Sequence, residues 1–389
     1  MRCFRTSAGG YTRGMVFNSY ESADAEYSPS SCTQGEGWGG GSACLAMKSP
    51  HPSPPPVYQG RGQEGIRLRL VGILIAVFST AFLLAGCGKS ESTPPPSSSS
   101  SPAVKLLLDW RPEPEFGGFY AANLAGGAFA KHQLNVAITS AGEGAPTWQL
   151  LASGQADFAT TAADQVLIAR EQHADVVTIF AVYQTCPQGI MVHKARNFSS
   201  LAEVFANTGT LAAEDNAWLH FCQQKFAPVK VKITGYSGGF APFLAQADYS
   251  QQCFITSEPI LAARQGGDPQ TFLIADSGYN PYTTVVIARG ETIRSHPDLA
   301  KAMADACRAG WQAYLDDPAA ANAAMGKLNT EMDAQTFADA AKAQKPLIEN
   351  AAGLGKMTLE RWQNLRGQLV DLKIVTQNCP AGETCFVNP

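Results

Sequence analysis

Three observations predict an α/β fold with mostly parallel sheets and flanking helices, arranged as two lobes. Strand-like and helix-like segments alternate from Val104 towards the C-terminus, the order that lays helices over a parallel sheet. Several strand segments, Val176 to Val182 above all, are nearly unbroken apolar runs, as expected where helices cover both faces of a sheet. The 303 residues from Cys87 onward fit two lobes better than one hydrophobic core.

The elements follow in order. Val104 to Leu108 is the first strand, Gly117 to Leu124 the first helix and Asn135 to Thr139 the second strand. Pro146 stands where proline is welcome, at the start of a helix running to Ser153. Asp157 to Thr161 is the third strand, Ala163 to Arg170 a helix, and Val176 to Val182 and Gly189 to His193 two further strands. A second group comprises Thr210 to Ala213, a helix around Trp218 to Lys225, then Val231 to Thr234, Pro242 to Ala247, Cys253 to Ile255 and a helix from Pro259 to Arg264. Phe272 to Ile274 and Thr284 to Ala288 return.

The remainder reads as helix. From His296 to Leu315, the residues Leu299, Met303, Ala306, Cys307, Gly310, Trp311 and Tyr314 recur at three- and four-residue spacing, an apolar stripe that needs a core. Pro318 to Leu328, Ala334 to Lys345 and Leu359 to Leu369 continue, the last with Thr358 as its cap and Glu360 in its first turn.

Residues 1–65 are rich in Gly, Ser, Pro and Tyr and carry no helical or strand period. They are expected to be disordered, or to precede the true translation start. Residues 66–87 have Arg67 and Arg69 before an apolar run from Leu70 to Ala85, and end in Leu84-Ala85-Gly86-Cys87. The run is shorter than the roughly 20 residues of a membrane-spanning helix. It has the plan of a secretory leader, and its last four residues resemble the lipobox of bacterial lipoproteins. That resemblance implies lipidation at Cys87, with the Ser- and Pro-rich stretch 88–103 as a tether holding the folded part away from the membrane.

Seven of the 29 basic and five of the 33 acidic residues precede Cys87, leaving 22 basic and 28 acidic. With no basic stripe, no nucleic-acid partner is expected. Six further cysteines remain. Cys379 and Cys385 close a short, turn-rich loop, a disulfide candidate that would pin the tail 378–389. Cys186, Cys222, Cys253 and Cys307 lie in apolar segments and are expected as buried thiols. No C-x-x-C pair occurs and the six histidines are scattered, so no metal and no cofactor is expected.

Leu107-Leu108-Asp109-Trp110-Arg111-Pro112-Glu113-Pro114-Glu115-Phe116-Gly117-Gly118-Phe119-Tyr120 resembles the opening motif of receptors for thiamine pyrimidine precursors, relatives of the riboflavin, alkanesulfonate, taurine and nitrate receptors of ABC importers. Gly154-Gln155-Ala156-Asp157-Phe158, Ile255-Thr256-Ser257-Glu258-Pro259 and Gly278-Tyr279-Asn280-Pro281-Tyr282 resemble later motifs in the same order. The resemblance implies a type II periplasmic-binding fold whose two lobes are joined by two hinge crossovers, expected near Met191 to Lys194 and Thr284 to Ala288. Lobe one is then 104–192 plus 288–377 and lobe two 193–287. Where those receptors carry a histidine and asparagines, this chain has Phe116, Glu113 and Glu115. Fungal relatives that build the pyrimidine from their own histidine need that residue, and no G-x-S-x-G replaces it; no enzymatic activity is expected.

Ligand contacts in such a fold come from loops at the carboxyl ends of strands. Those loops offer Trp110, Phe119, Tyr120, Trp148 and Tyr183 in lobe one, Trp218 and Tyr236 in lobe two, and Tyr279 near the return crossover. Such rings suit a flat ligand, and core packing is the competing explanation for each. Asp109, Glu115, Asp164, Glu214 and Glu258 supply carboxylates, with Arg111 as the one guanidinium close by. A nitrate or sulfonate needs donors or positive charge, whereas these acids suit a neutral or cationic heterocycle bearing N–H groups; solvation or helix capping explains individual acids equally well. Thr161 adds a polar contact, and Gly144 and Gly238 sit in turns whose backbone N–H groups can approach a ligand.

The expected function is therefore a lipid-anchored, extracytoplasmic and monomeric receptor that closes on a small planar solute and passes it to a permease and its ATPase. The alternatives are a nitrate, taurine or alkanesulfonate receptor of the same family, or a secreted enzyme or sensory lipoprotein on the same scaffold.

Overall fold

The computed structural model describes residues 103–142, 145–349, 351, 353–380 and 382–389. The leader, Cys87, the tether and Gly144 lie outside them. Ten strands and thirteen helices occur among the described residues.

The first sheet holds β1 (Ala103–Leu108), β2 (Asn135–Ser140), β3 (Phe158–Thr161) and β4 (Val176–Tyr183). Packed with it are α1 (Gly117–Ala122), α2 (Ala128–Lys131), α3 (Thr147–Ala152) and α4 (Ala163–Glu171). The second sheet holds β5 (Gln188–His193), β6 (Thr210–Ala212), β7 (Lys232–Thr234), β8 (Tyr249–Phe254) and β9 (Pro269–Leu273), with α5 (Leu201–Ala206), α6 (Ala217–Lys225), α7 (Ala241–Ala245) and α8 (Glu258–Arg264). The chain then returns to the first sheet as β10 (Thr283–Arg289) and ends in α9 (Gly290–Ser295), α10 (Pro297–Asp316), α11 (Ala319–Gly326), α12 (Ala334–Ile348) and α13 (Leu359–Asp371).

The two sheets share one plan. Strand order is β2-β1-β3-β10-β4 in the first and β7-β6-β8-β5-β9 in the second. In each, two pairs are parallel, and one strand arriving from the other lobe lies antiparallel to both neighbours: β10 between β3 and β4, β5 between β8 and β9. Four of five strands in each sheet thus point one way, and their carboxyl ends meet where the lobes face each other.

The crossovers lie elsewhere than expected. Met191 to Lys194 and Thr284 to Ala288 are mostly sheet residues: β5 belongs wholly to the second sheet and β10 wholly to the first. The chain crosses at 184–187 and returns at 274–282, which shifts lobe two to 188–273 and gives 283–389 to lobe one. An apolar run such as Gly189 to Val192 looks the same in a hinge strand and in a sheet, so only pairing separates them.

Small residues let α1 and α10 approach closely. Gly310 of α10 meets α1 so tightly that a Cβ there would lie 2.3 Å from the Gly118 carbonyl oxygen. The expected stripe of α10 supplies Met303, Ala306, Cys307, Trp311 and Tyr314 to the core of lobe one. Against it packs Phe119, whose ring meets Trp311 edge-on at 5.8 Å. The Thr358 cap also forms, its Oγ1 accepting from Arg361 N.

The C-terminal tail is pinned, but not by a bridge. Cys379 and Cys385 are buried free thiols, so the structure does not form the expected disulfide; each Sγ instead faces a main-chain carbonyl, Leu167 O and Pro380 O. Main-chain bonds hold the segment to β4, with Thr178 N donating to Cys385 O at 2.8 Å and Val387 N to Thr178 O at 2.9 Å. Phe386 stacks on Trp362 at 5.9 Å. Among the described residues no helix is long and apolar enough to cross a membrane.

Candidate functional site

A cavity of about 380 Å³ opens between the lobes, lined from both sheets. A smaller chamber of about 120 Å³ adjoins it and shares Asp109, Trp110, Gln188, Glu214 and Phe254 with it.

The lobe-one wall grows from strand ends. Asp109 and Trp110 follow β1 directly; Asp109 N donates to Thr160 Oγ1 at 2.9 Å, and that hydroxyl donates back to Asp109 Oδ1. Thr147 Oγ1 bonds Thr160 O at 2.7 Å, fixing the start of α3 and so the place of Trp148. Asp164, in the first turn of α4, accepts from Gln165 N at 2.8 Å and from the Tyr279 hydroxyl at 3.1 Å. Tyr279 comes from the return crossover and ties that hinge to the cavity wall.

The lobe-two wall uses the loop after β6, where Glu214 N donates to Gln252 Oε1 at 2.7 Å. Asn216 and Trp218 follow. Their Oδ1 and Nε1 atoms are buried without a hydrogen-bond partner, an uncommon state that leaves two polar groups of the lining unsatisfied.

Around the chamber the carboxylates converge. Glu113 Oε2 accepts from Ser257 Oγ across the lobes at 2.8 Å, and Glu258 Oε2 accepts from Phe254 N at 2.8 Å. Burial raises the carboxyls of Asp109, Glu113 and Asp164. Glu115 stands well above the usual range because it is buried and then because Glu113, Asp109 and Glu258 crowd it. Glu258 is pushed up to about 8, by burial first and by Glu113 second. Removing a charge from water disfavours it, and like charges nearby add to the effect. Arg111 lies beside this group, its Nη1 on Glu331 and its Nε 3.8 Å from Glu113.

Of the expected ligand residues, the structure brings Asp109, Trp110, Trp148, Thr161, Asp164, Glu214, Trp218 and Tyr279 to the main cavity. Glu115, Tyr236 and Glu258 reach the chamber. Four others go elsewhere. Phe119 and Tyr120 turn into the core between α1 and α10. Tyr183 is fully buried, its hydroxyl donating to Gln344 Oε1 at 2.6 Å. Gly238, at φ 78°, belongs to a turn and lines neither space. The first three are the right residue type beside the right loop, but helix phase and strand burial direct them inward.

Several lining residues gave little signal. Gln188 and Cys186 sit at the first crossover, and Gln252 and Phe254 close a strand that opens Tyr249-Ser250-Gln251-Gln252. That polar run carries no apolar alternation, although Ser250, Gln251 and Gln252 are buried. The sequence marks only its apolar end, Cys253 to Ile255, and the motif Ile255-Thr256-Ser257-Glu258-Pro259 that overlaps it.

No Lys, Arg or His lines the cavity or the chamber among the described residues. Nor is any group of three or more His, Cys, Asp or Glu side chains there arranged to hold a metal ion. Burial pushes the Cys186 thiol up to about 11, which leaves little thiolate at neutral pH.

The chain is 22% identical over 307 residues to the formylaminopyrimidine-binding protein of Halalkalibacterium halodurans, covering 77% of this chain and 87% of that protein. The periplasmic aliphatic sulphonate binding protein SsuA from Escherichia coli has the same fold, with a TM-score of 0.57, 12% identity and coverage of 74% of this chain and 92% of that one. The desulfurization enzyme DSZB also shares it, with a TM-score of 0.51, 11% identity and coverage of 72% and 96%. The fold is thus that of the periplasmic binding proteins. The NMT1/THI5 like family matches residues 113–321, more than half of the sequence, and the chain belongs to that family.

Proposed function

We propose that this protein is the solute-binding component of an ABC importer, and that its solute is a small planar nitrogen heterocycle of the aminopyrimidine class held between the lobes. The observation that carries the reading is the make-up of the cavity wall. Trp110, Trp148, Trp218 and Tyr279 offer flat apolar surfaces, Asp109 and Asp164 offer acceptors, and no basic side chain lines the space. Rings of this kind stack on a flat ligand for about 0.5–1.5 kcal/mol each beyond the area they bury. A sulfonate or nitrate would enter facing carboxylates, with no guanidinium or ammonium in the lining to meet it. The name of the H. halodurans relative supports the same class.

The function is capture and release rather than chemistry. Cys186 in the cavity wall is held as a thiol, and the lobes are joined by two short crossovers suited to hinge closure around a ligand. The permease, its ATPase and a membrane anchor through Cys87 complete the proposed setting. Titration calorimetry with 4-amino-5-hydroxymethyl-2-methylpyrimidine and, separately, with taurine tests the reading. One-to-one binding of the pyrimidine, recovered unchanged by mass spectrometry, is expected; binding of taurine alone would overturn it.

A further inference from the structure

The loop that leads from β6 into α6 forms part of the lobe-two wall of the main cavity, and hydrogen bonds fix its course. Ala213 N donates to Thr234 O at 2.9 Å and Glu214 N to Gln252 Oε1 at 2.7 Å. Asp215 Oδ1 lies 2.9 Å from His220 Nε2, and Asn216 O accepts from Leu219 N at 3.1 Å and from His220 N at 3.2 Å. Two side-chain atoms of this segment are left over. Asn216 Oδ1 and Trp218 Nε1 are buried with no hydrogen-bond partner, and both residues line the cavity.

The fold makes no other use of them. Asn216 is the N-cap of α6, where an Asn ordinarily turns its side-chain oxygen onto an amide of the first turn; here no such bond forms. Trp218 is only 5% exposed, so its N–H is cut off from bulk water. Trp311 and Trp362 also have unpartnered indole nitrogens, but neither ring lines the cavity. The carboxylates across the space are already served: Asp109 accepts from Thr160, and Asp164 from Gln165 N and Tyr279. A buried donor and a buried acceptor without partners are unfavourable in the empty protein, and a ligand that brings an acceptor and a donor to this wall completes both.

We infer that Asn216 and Trp218 are the specificity residues of lobe two, with Trp218 Nε1 donating to a ring nitrogen of the solute and Asn216 Oδ1 accepting from an exocyclic amine. This rests on the heterocycle reading above and deepens it: the chain selects a flat ring that carries an amino group over the same ring without one. The aromatic faces of Trp110 and Trp148 accept either ring and make no such distinction. A polar group built to meet a substrate N–H rejects the analogue lacking it, because the group is then left unpaired.

Calorimetric titration of the full-length protein with 4-amino-5-hydroxymethyl-2-methylpyrimidine and with 5-hydroxymethyl-2-methylpyrimidine, which lacks the amine, measures that preference. The amino compound should bind about tenfold tighter. Asn216→Leu should erase this lead while leaving the affinity for the amine-free ring unchanged. In proton–nitrogen correlation spectra the Trp218 indole signal, assigned by its loss in Trp218→Phe, should move downfield with either compound, since both keep the ring nitrogens, and the Trp311 signal should stay in place. If Asn216→Leu shows no cooperative melting transition, the wild-type preference and the Trp218 signal decide. Equal binding of the two rings by the wild type, a preference that survives in Asn216→Leu, or an unmoved Trp218 signal would overturn the assignment and leave the heterocycle reading standing. Failure of both rings to bind would overturn both.

Discussion

Arg361 donates to Asn280 twice, from Nε to the main-chain oxygen at 2.9 Å and from Nη2 to the side-chain Oδ1 at 3.0 Å. The same guanidinium reaches Gln184 O at 2.5 Å and Pro281 O at 3.1 Å, and lies 3.9 Å over the Tyr282 ring. Asn280 Oδ1 also accepts from Cys186 N at 2.8 Å. One side chain of α13 therefore binds both crossovers to lobe one. In the proposed closure, bending takes place around this fixed point.

Loss of that guanidinium should act on both stability and closure. Arg361→Met leaves buried carbonyls of both crossovers without a donor, at a cost of about 2–4 kcal/mol. Arg361→Lys keeps the charge but cannot serve four acceptors in a plane, and should recover only part of the loss. Chemical denaturation of the three proteins checks the order. Equal stability of wild type and Arg361→Met would show that the crossovers are held by something else.

Two aromatics only ten residues apart should behave differently. Trp110 lines both spaces, whereas Tyr120 is 8% exposed in the core of lobe one. Trp110→Ala should weaken ligand binding by about tenfold with the melting temperature nearly unchanged. Tyr120→Ala should lower stability by about 3 kcal/mol through the cavity it opens. Calorimetric titration and thermal melting of both variants separate the two roles, and an affinity loss confined to Tyr120→Ala would reverse them.

The chamber acids make stability depend on pH in a defined direction. The Glu258 carboxyl titrates at about 8 in the folded protein against an ordinary value of 4.5. Between those values the folded state holds a proton that the unfolded chain releases, so stability is fully present below about 4.5 and falls as pH rises towards 8. Asp109, Glu113, Glu115 and Asp164 are raised as well and act with the same sign. The melting temperature of the unliganded protein should therefore drop from pH 5 to pH 8, and Glu258→Gln should flatten the slope. A melting temperature that rises across this range would contradict the burial of these acids.

The tail cysteines should react only when the fold opens. Burial pushes the Cys379 thiol up to about 11 and raises Cys385 too, so both are poor nucleophiles at neutral pH. Iodoacetamide should label them slowly in native protein and fully in denaturant, without prior reduction. A disulfide-linked peptide in a non-reducing digest would restore the bridge that the spacing suggests.

The order of strands and helices was legible where an apolar run is either unbroken or clearly periodic. β4 is apolar at nearly every position, and α10 repeats its core residues every three or four. The candidate site was legible where a polar residue ends or follows a strand, as Thr161 ends β3 and Asp109 and Glu214 follow β1 and β6. It was not legible where tertiary packing decides. Phe119 and Tyr120 follow the binding loop closely, yet the phase of α1 turns them onto Trp311 and its neighbours, a partner nearly 200 residues away that local pattern cannot supply. Gln252 lies just before the expected segment Cys253 to Ile255, in a run whose buried side chains are polar, so hydrophobic period gave no reason to place it in a sheet. The crossovers were displaced because β5 and β10 are as apolar as any hinge strand, and their pairing across the sheets is a long-range fact.

A crystal of the protein grown with 4-amino-5-hydroxymethyl-2-methylpyrimidine tests the central claim most directly. The account predicts its ring between the lobes, bounded by Trp110, Trp148 and Trp218. A ring bound outside the cleft, or a cleft still empty at saturating concentration, would contradict it.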